Sequence, residues 1–279
     1  MTNQIYPCLW FDSQAKAAAE YYCSIFSNSK IINESPIAVQ FELEGKRVMG
    51  LNGGPMFKIS PAISLFVTCG TVEEIDRIWH WLSEGGNAMM PLDKYPWSEK
   101  YGWVVDKFGM TWQLMLGDLA SDGQKIIPSL LFVGEQFGHG QQAIESYTGI
   151  FPNSGIRHLE VYPEGDDQLK GTLMFGSFYL DGSQFAAMDG HGTHDFQFNE
   201  GVSFVVECET QVEIDHYWDT LTHGGMEVQC GWLKDRYGVS WQIIPSKLGQ
   251  LMSDPERGPR VMQELMKMQK LDMDILLNA

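Results

Sequence analysis

Three kinds of residue in this 279-residue chain could do chemistry. The loop "DGHGTHD" sets His191, His194 and Asp195 close together, and three such side chains can ligate a metal ion. Five cysteines, Cys8, Cys23, Cys69, Cys208 and Cys230, stand apart with no C-x-x-C pair. That pattern suits free thiols in the cytoplasm better than a disulfide framework or a cysteine zinc site. The third kind is a glutamine inside a phrase written twice, "GMTWQLML" at 109–116 and "GVSWQIIP" at 238–245, which sets Gln113 and Gln242 at matching positions. No G-x-S-x-G elbow occurs, and no Ser or Cys stands beside a His in a recurring motif, so nucleophilic catalysis has no support. The histidine loop is glycine-rich, and the matching stretch of the first half, "NGGPMFK", has no histidine. A solvated loop is therefore the preferred reading there. His139 and His158 have no partner legible in the sequence.

The repeated phrase belongs to a longer duplication. "YPCLWFD" pairs with "IPSLLFV" at 127–133, and "AEYYCSIFSNS" with "IESYTGIFPNS" at 144–154. "SLFVTCGTVEEIDRIWHWLSEGG" pairs with "SFVVECETQVEIDHYWDTLTHGG" at 203–225, and "YGWVVDKFGMTWQLM" with "CGWLKDRYGVSWQII" at 230–244. The order is the same in both halves, which marks a tandem repeat. The seam falls in the polar stretch "GDLASDGQK" at 117–125. The first half alone carries "MPLDKYPWSEK" at 90–100. The second alone carries "GEQFGHG" at 134–140 and a longer acidic loop at 162–171.

Each half reads strand, helix, strands, and then the same again. "IYPCLWF" has strand character. In the next segment Ala15, Ala18, Tyr22, Ile25 and Phe26 fall on one helical face, with Asp12 or Ser13 as the expected cap. "VQFELEGKRVMGL" alternates as a hairpin, with Gly45-Lys46 as the expected turn and Asp181-Gly182 as its counterpart. Thr71-x-x-Glu74 and Thr210-x-x-Glu213 read as capping boxes opening a second helix, whose apolar stripe is Ile75, Ile78, Trp79 and Leu82. Gly85-Gly86 and Gly224-Gly225 end these helices. The expected fold class is α+β: two tandem domains, 1–120 and 121–250, each a pair of βαβββ modules, followed by a helical tail at 251–279. Apolar spacing over 259–277 predicts one helix there, with Met262, Met266, Met268 and Met273 as adaptable packing.

Composition narrows the function classes. The chain is 44% hydrophobic and 20% charged, with a formal net charge of −17. That charge argues against nucleic acid or an anionic membrane as partner, since both need a basic footprint. No stretch approaches the roughly 18 apolar residues of a membrane span, and the N-terminus has no basic region before an apolar run.

The segments "YPCLWFDSQAKAAAEYYCSIF", "LFVTCGTVEEIDRIWHWLSEGG" and "DKFGMTWQLM", and the tail "VMQELMKMQKLDMDILLNA", resemble the PhnB-like branch of the vicinal oxygen chelate superfamily, the glyoxalase and bleomycin-resistance fold. The resemblance implies curved sheets forming cups. Some members of the branch carry a demethylubiquinone methyltransferase label. Superfamily enzymes place a divalent metal in the cup with His, Glu or Gln ligands from four strands. Those positions here fall near Pro7, Gly50, Ala62 or Ser64, and Gln113. In the repeat they fall near Pro128, Ala187, Gly201 or Ser203, and Gln242. Only the glutamines could coordinate, and one neutral oxygen does not hold a divalent ion against water. The expectation is therefore a cup without a metal and without a cofactor. A methyltransferase cofactor would want a Gly-rich strand–turn–helix, and "NGG" and "EGG" read instead as turns and caps.

A cup that binds a small organic molecule is the leading reading. Its candidate residues are Asn52, Phe57, Trp97, Trp103 and Gln113 in the first half, and Asp189, Phe196, Phe198, Trp232 and Gln242 in the second. Trp97 stands out because it lies in the polar insertion, where no core stripe explains it, and a flap closing on the cup would. The runner-up is a metal-assisted enzyme of the superfamily. The third reading is an assembly module with vestigial cups. A homodimer through the C-terminal helix stays open.

Overall fold

A computed structural model describes residues 5–119, 123–163 and 168–279. The seam expected at 117–125 and the acidic loop at 162–171 each lie partly outside the described residues.

The βαβββ unit recurs four times. The first module is β1 (Ile5–Phe11), α1 (Ala15–Ile25), β2 (Ser29–Glu34), β3 (Ala38–Leu43) and β4 (Lys46–Asn52). The second is β5 (Ile63–Cys69), α2 (Val72–Ser83), β6 (Asn87–Tyr95), β7 (Ser98–Val105) and β8 (Thr111–Leu116). The third is β9 (Ile126–Phe132), α3 (Gly140–Ile150), β10 (Gly155–Val161), β11 (Leu173–Leu180) and β12 (Ser183–Asp189). The fourth is β13 (Val202–Cys208), α4 (Gln211–Leu221), β14 (Met226–Glu227), β15 (Trp232–Lys234) and β16 (Ser240–Pro245). In each module the first and last strands pair in parallel and the other two continue antiparallel. The α+β class and the βαβββ module are as expected.

The chain divides into two compact units. Among the described residues, one holds those between 7 and 202; the other holds 5–6 and 203–279. The larger unit contains a complete eight-stranded sheet, in the order β10-β11-β12-β9-β5-β8-β7-β6, and a four-stranded run β1-β4-β3-β2. The smaller unit contains the run β14-β15-β16-β13. The eight-stranded sheet joins the second module to the third, through antiparallel pairing of β5 with β9 that sets Ser64 opposite Ser129. It therefore crosses the seam of the sequence repeat, a pairing that no local pattern specifies.

Local chemistry explains most elements. Ile75, Ile78 and Leu82 of α2 are fully buried, at roughly 2 kcal/mol of hydrophobic stabilisation each. Thr71 and Thr210 accept the N–H of Glu74 and Glu213 as N-caps, and the box is complete at Thr210. The hairpin turn is Glu44-Gly45 rather than Gly45-Lys46. Both turn residues have positive φ, 49° and 83°, as do Asp181 and Gly182, 46° and 76°, and this twist suits a two-residue hairpin. Lys46 is thereby moved into β4.

Two expectations change. Neither Asp12 nor Ser13 caps α1; the Ala15 N–H is taken by Asn52 Oδ1, from the end of β4, at 2.9 Å. The single helix expected over 259–277 is two short ones, α6 (Gly258–Leu265) and α7 (Met273–Asn278), and a further short helix, α5 (Leu248–Ser253), precedes them. Pro259 opens α6, where its missing N–H is harmless. Leu248, Leu251, Val261, Leu265, Leu271 and Leu276 bury together, with Met262 and Met268 against them, so the tail packs within its own unit.

Candidate functional site

The repeated phrase is built around a buried aspartate. Asp106 Oδ1 accepts the N–H groups of Phe108 (2.8 Å) and Met110 (3.1 Å), and Oδ2 accepts the indole N–H of Trp112 (2.8 Å). Asp235 does the same for Tyr237, Val239 and Trp241, at 2.9, 3.1 and 2.8 Å. Desolvation raises the Asp106 carboxyl above its ordinary pKa, opposed by these donors. The clamp turns the chain back and points the tryptophan away from the next residue, the glutamine, because neighbours on a strand face opposite ways.

In the eight-stranded sheet, α2 and α3 cover one face. The opposite face carries a cluster of Phe66, Tyr101, Trp103, Ile127 and Ala186. Met89, Met90, Tyr95, Met115, Leu131, Phe175 and Phe196 pack against it. Period-two alternation puts Ser64, Gln113 and Ser129 on this same face, beside Phe66, Met115 and Ile127. Tyr101 Oη donates to Gln113 Oε1 at 2.7 Å, and Gln113 Nε2 donates to Ser64 Oγ at 2.6 Å. Burial pushes the Tyr101 phenol above its ordinary pKa, so it stays a donor. Two polar atoms here are buried with no hydrogen-bond partner, Trp103 Nε1 and Ser129 Oγ.

The structure gathers four of the expected residues on this face. Gln113 and Trp103 sit within it, Phe196 covers it with its ring centroid 6.3 Å from that of Trp103, and Trp97 stands at its rim. Trp97 is 58% exposed at the tip of the β6–β7 hairpin, stacked on Tyr95 at 5.0 Å and edge-on to Tyr101 at 5.8 Å. Gly102 lets Trp79 of α2 lie against the hairpin, since a Cβ there would come within 2.5 Å of the indole.

The other expected residues lie elsewhere. Asn52 and Asp189 share the helix face of their strands. Asn52 binds the start of α1 and, through Nδ2, Pro36 O at 3.0 Å. Asp189 accepts Gly138 and Gly140 N–H at 3.0 and 3.1 Å and Leu173 N–H at 2.7 Å. Phe57 packs edge-on to Trp10 at 5.0 Å, and Phe198 edge-on to Phe132 at 5.1 Å. Trp232 and Gln242 are register partners in the smaller unit, where Gln242 Nε2 donates to Ser203 Oγ at 2.9 Å. Sequence reasoning missed Tyr101, Phe66 and Ser129 as members of the site. The alternation of β7 and β5 could have found the first two, but Ser129 needed the β5–β9 pairing.

A family profile described as 3-demethylubiquinone-9 3-methyltransferase matches residues 3–115 and again 124–244. The chain belongs to that family. The two matches stand in tandem, one to each half of the sequence repeat. A PhnB protein from Bacillus cereus is 36% identical over 40% of this chain and 98% of its own, with a TM-score of 0.38. Glyoxalase I from Zea mays aligns over 87% of this chain and 92% of its own at 10% identity and a TM-score of 0.51; a point mutant of that enzyme reaches 0.56 over the same shares. At that identity the likeness concerns the fold alone. No match was found among curated proteins.

The glyoxalase-like fold implies a divalent metal, and the donors present in this PhnB-like chain do not fit one. The cup line offers the Ser64, Ser129 and Tyr101 hydroxyls and the Gln113 amide, none of them a carboxylate, imidazole or thiol. Among the described residues no three His, Cys, Asp or Glu side chains gather. His191 Nε2 instead faces Gln168 Oε1 at 3.0 Å, and His194 Nε2 faces His191 O at 3.1 Å. Cys69 and Cys208 are fully buried, their thiols pushed up to about 12 by desolvation, which suits core packing rather than nucleophilic work.

Proposed function

We propose that the cup on the eight-stranded sheet binds a small organic molecule without a divalent metal, in the sequestering manner of the bleomycin-resistance relatives. The observation that carries this reading is the Tyr101–Gln113–Ser64 relay. It is a neutral, oriented set of hydrogen bonds on a face otherwise walled by aromatic and methionine side chains. Pockets that bind small molecules combine apolar walls with a few placed polar groups. The β6–β7 hairpin, with Trp97 and Tyr95 at its tip, supplies a movable rim.

Methyl transfer, named in the family's description, finds less support in these residues. Gly54 and Gly85 take positive φ at a loop and a helix end, where they turn the chain instead of cradling a nucleotide. The five cysteines are free, which fits a cytoplasmic protein.

Native mass spectrometry with elemental analysis of the purified full chain tests the proposal. The expected result is a metal-free chain carrying a small organic mass that disappears in Gln113→Leu. One divalent metal per chain, retained by wild type and lost with the same substitution, would overturn it in favour of a metal-assisted enzyme.

A further inference from the structure

The cup has donors to spare. Gln113 spends both ends of its amide, Oε1 on Tyr101 and Nε2 on Ser64. Ser64 Oγ accepts that bond and keeps its own O–H to give. Directly opposite, in the antiparallel β5–β9 pair, stands Ser129, 1% exposed and with its hydroxyl unpartnered. On the far side of the relay Trp103 is paired in register with Gln113, and its indole N–H is buried and unpartnered too. An indole N–H can only donate. Buried donors left without an acceptor are costly, and structures retain them where something else satisfies them. The polar residues thus form a line across four neighbouring strands, β7, β8, β5 and β9, with an unpartnered donor at each end. At about 4.8 Å per strand the backbone positions of Trp103 and Ser129 lie roughly 14 Å apart, a span that two side chains and one ring can bridge.

Charge is missing from this line. Tyr101, Gln113, Ser64, Ser129 and Trp103 are all uncharged side-chain types, and His158 beside Phe175 and His194 beside Phe196 stand outside the line, so a carboxylate or ammonium placed along it would give up its water with no counter-charge within the line. A neutral acceptor suffers no such penalty.

Resting on the reading of this cup as a binding site, we infer that its ligand is a neutral aromatic compound with hydrogen-bond acceptors, carbonyl oxygens above all, at opposite ends. One acceptor meets the Ser129 and Ser64 hydroxyls and the other the Trp103 indole N–H. The ring lies between Phe66, Tyr101 and Phe196.

Three probes of one shape test this on the full-length protein: 1,4-diacetylbenzene, 1,4-diethylbenzene and terephthalate. Binding is read by ligand-observed NMR titration. The expected result is that diacetylbenzene binds, and that Ser129→Ala and Trp103→Phe each weaken it about 5- to 10-fold. Both variants should leave diethylbenzene within twofold, and terephthalate should bind at least tenfold more weakly than diacetylbenzene. Comparing the two neutral probes on each variant cancels any loss that comes from altered packing. If diacetylbenzene and diethylbenzene respond alike to both substitutions, or terephthalate binds as well, the acceptor inference falls while the cup remains a binding site. If none of the probes binds, the cup reading falls and takes the inference with it.

Discussion

Strands β7 and β8 of the second module and β15 and β16 of the fourth are written in nearly the same words and equipped differently. Each pair holds a buried aspartate clamping a tryptophan, at 2.8 Å in both, and a glutamine donating to a serine on the neighbouring parallel strand. The surroundings of the glutamine then diverge. Tyr101, which orients Gln113, is replaced by Cys230. The β6 and β7 strands run nine and eight residues and end in an aromatic tip, while β14 and β15 have two and three. Where the first hairpin is long and bare at its tip, the start of the second is tied to the C-terminal tail. Cys230 N–H donates to Met268 O and Gly231 N–H to Gln269 O, both at 2.8 Å. The duplication kept the scaffold of the site in both places, and only the second module carries an oriented relay and a rim.

That contrast can be broken in several ways, of which the aspartate clamp promises the largest effect. Asp106→Ala and Asp235→Ala each strand two backbone N–H groups and one indole N–H in the core. Each should cost about 4 kcal/mol in denaturant unfolding, and by similar amounts, if the scaffold is shared. A large difference between them would show that the clamps do unlike work.

Next comes a second pair of matching positions, Lys46 at the start of β4 and Ser183 at the start of β12. Lys46 is 4% exposed; its Nζ donates to Ser183 Oγ at 3.1 Å and lies 5.4 Å from the Phe185 ring centre. Desolvation lowers it from 10.5 to about 7. Between those values the unfolded chain holds a proton that the folded one lacks, so stability rises with pH across the window, and the penalty is complete below about pH 7. Lys46→Met should therefore be more stable than wild type by about 3 kcal/mol at pH 6, with the advantage shrinking toward pH 10. Thermal unfolding of both proteins over that range checks it; parallel curves would rule out a neutral buried lysine.

The smallest effect sharpens the difference between the two glutamines. Gln113→Leu leaves Tyr101 and Ser64 without partners and should cost about 2 kcal/mol, whereas Gln242→Leu strands only Ser203 and should cost about 1 kcal/mol. Equal losses in urea titrations would mean that Tyr101 adds nothing to the relay.

Much of this was legible in the residues themselves. The internal repeat, the four βαβββ modules, the capping threonines and the hairpin turns all rest on local signals. Hydrophobic period, turn residues and caps act over a few positions and are written side by side in the chain. Gln113 stood out by its repetition and Trp97 by its place in the polar insertion, while Trp103 and Phe196 were candidates only through the cup mouth that the family resemblance implies. Tertiary structure alone decided who meets whom. The pairing of β5 with β9 put Ser129 opposite Ser64 across the repeat seam. The parity of β4 and β12 sent Asn52 and Asp189 to the helix face, where helix ends needed acceptors. Backbone breaks around Pro259 and at 266–272 divided the tail into short helices that pack within one unit. Strand pairing is set by which apolar faces can be buried together, a property of the whole folded chain that no window of sequence contains.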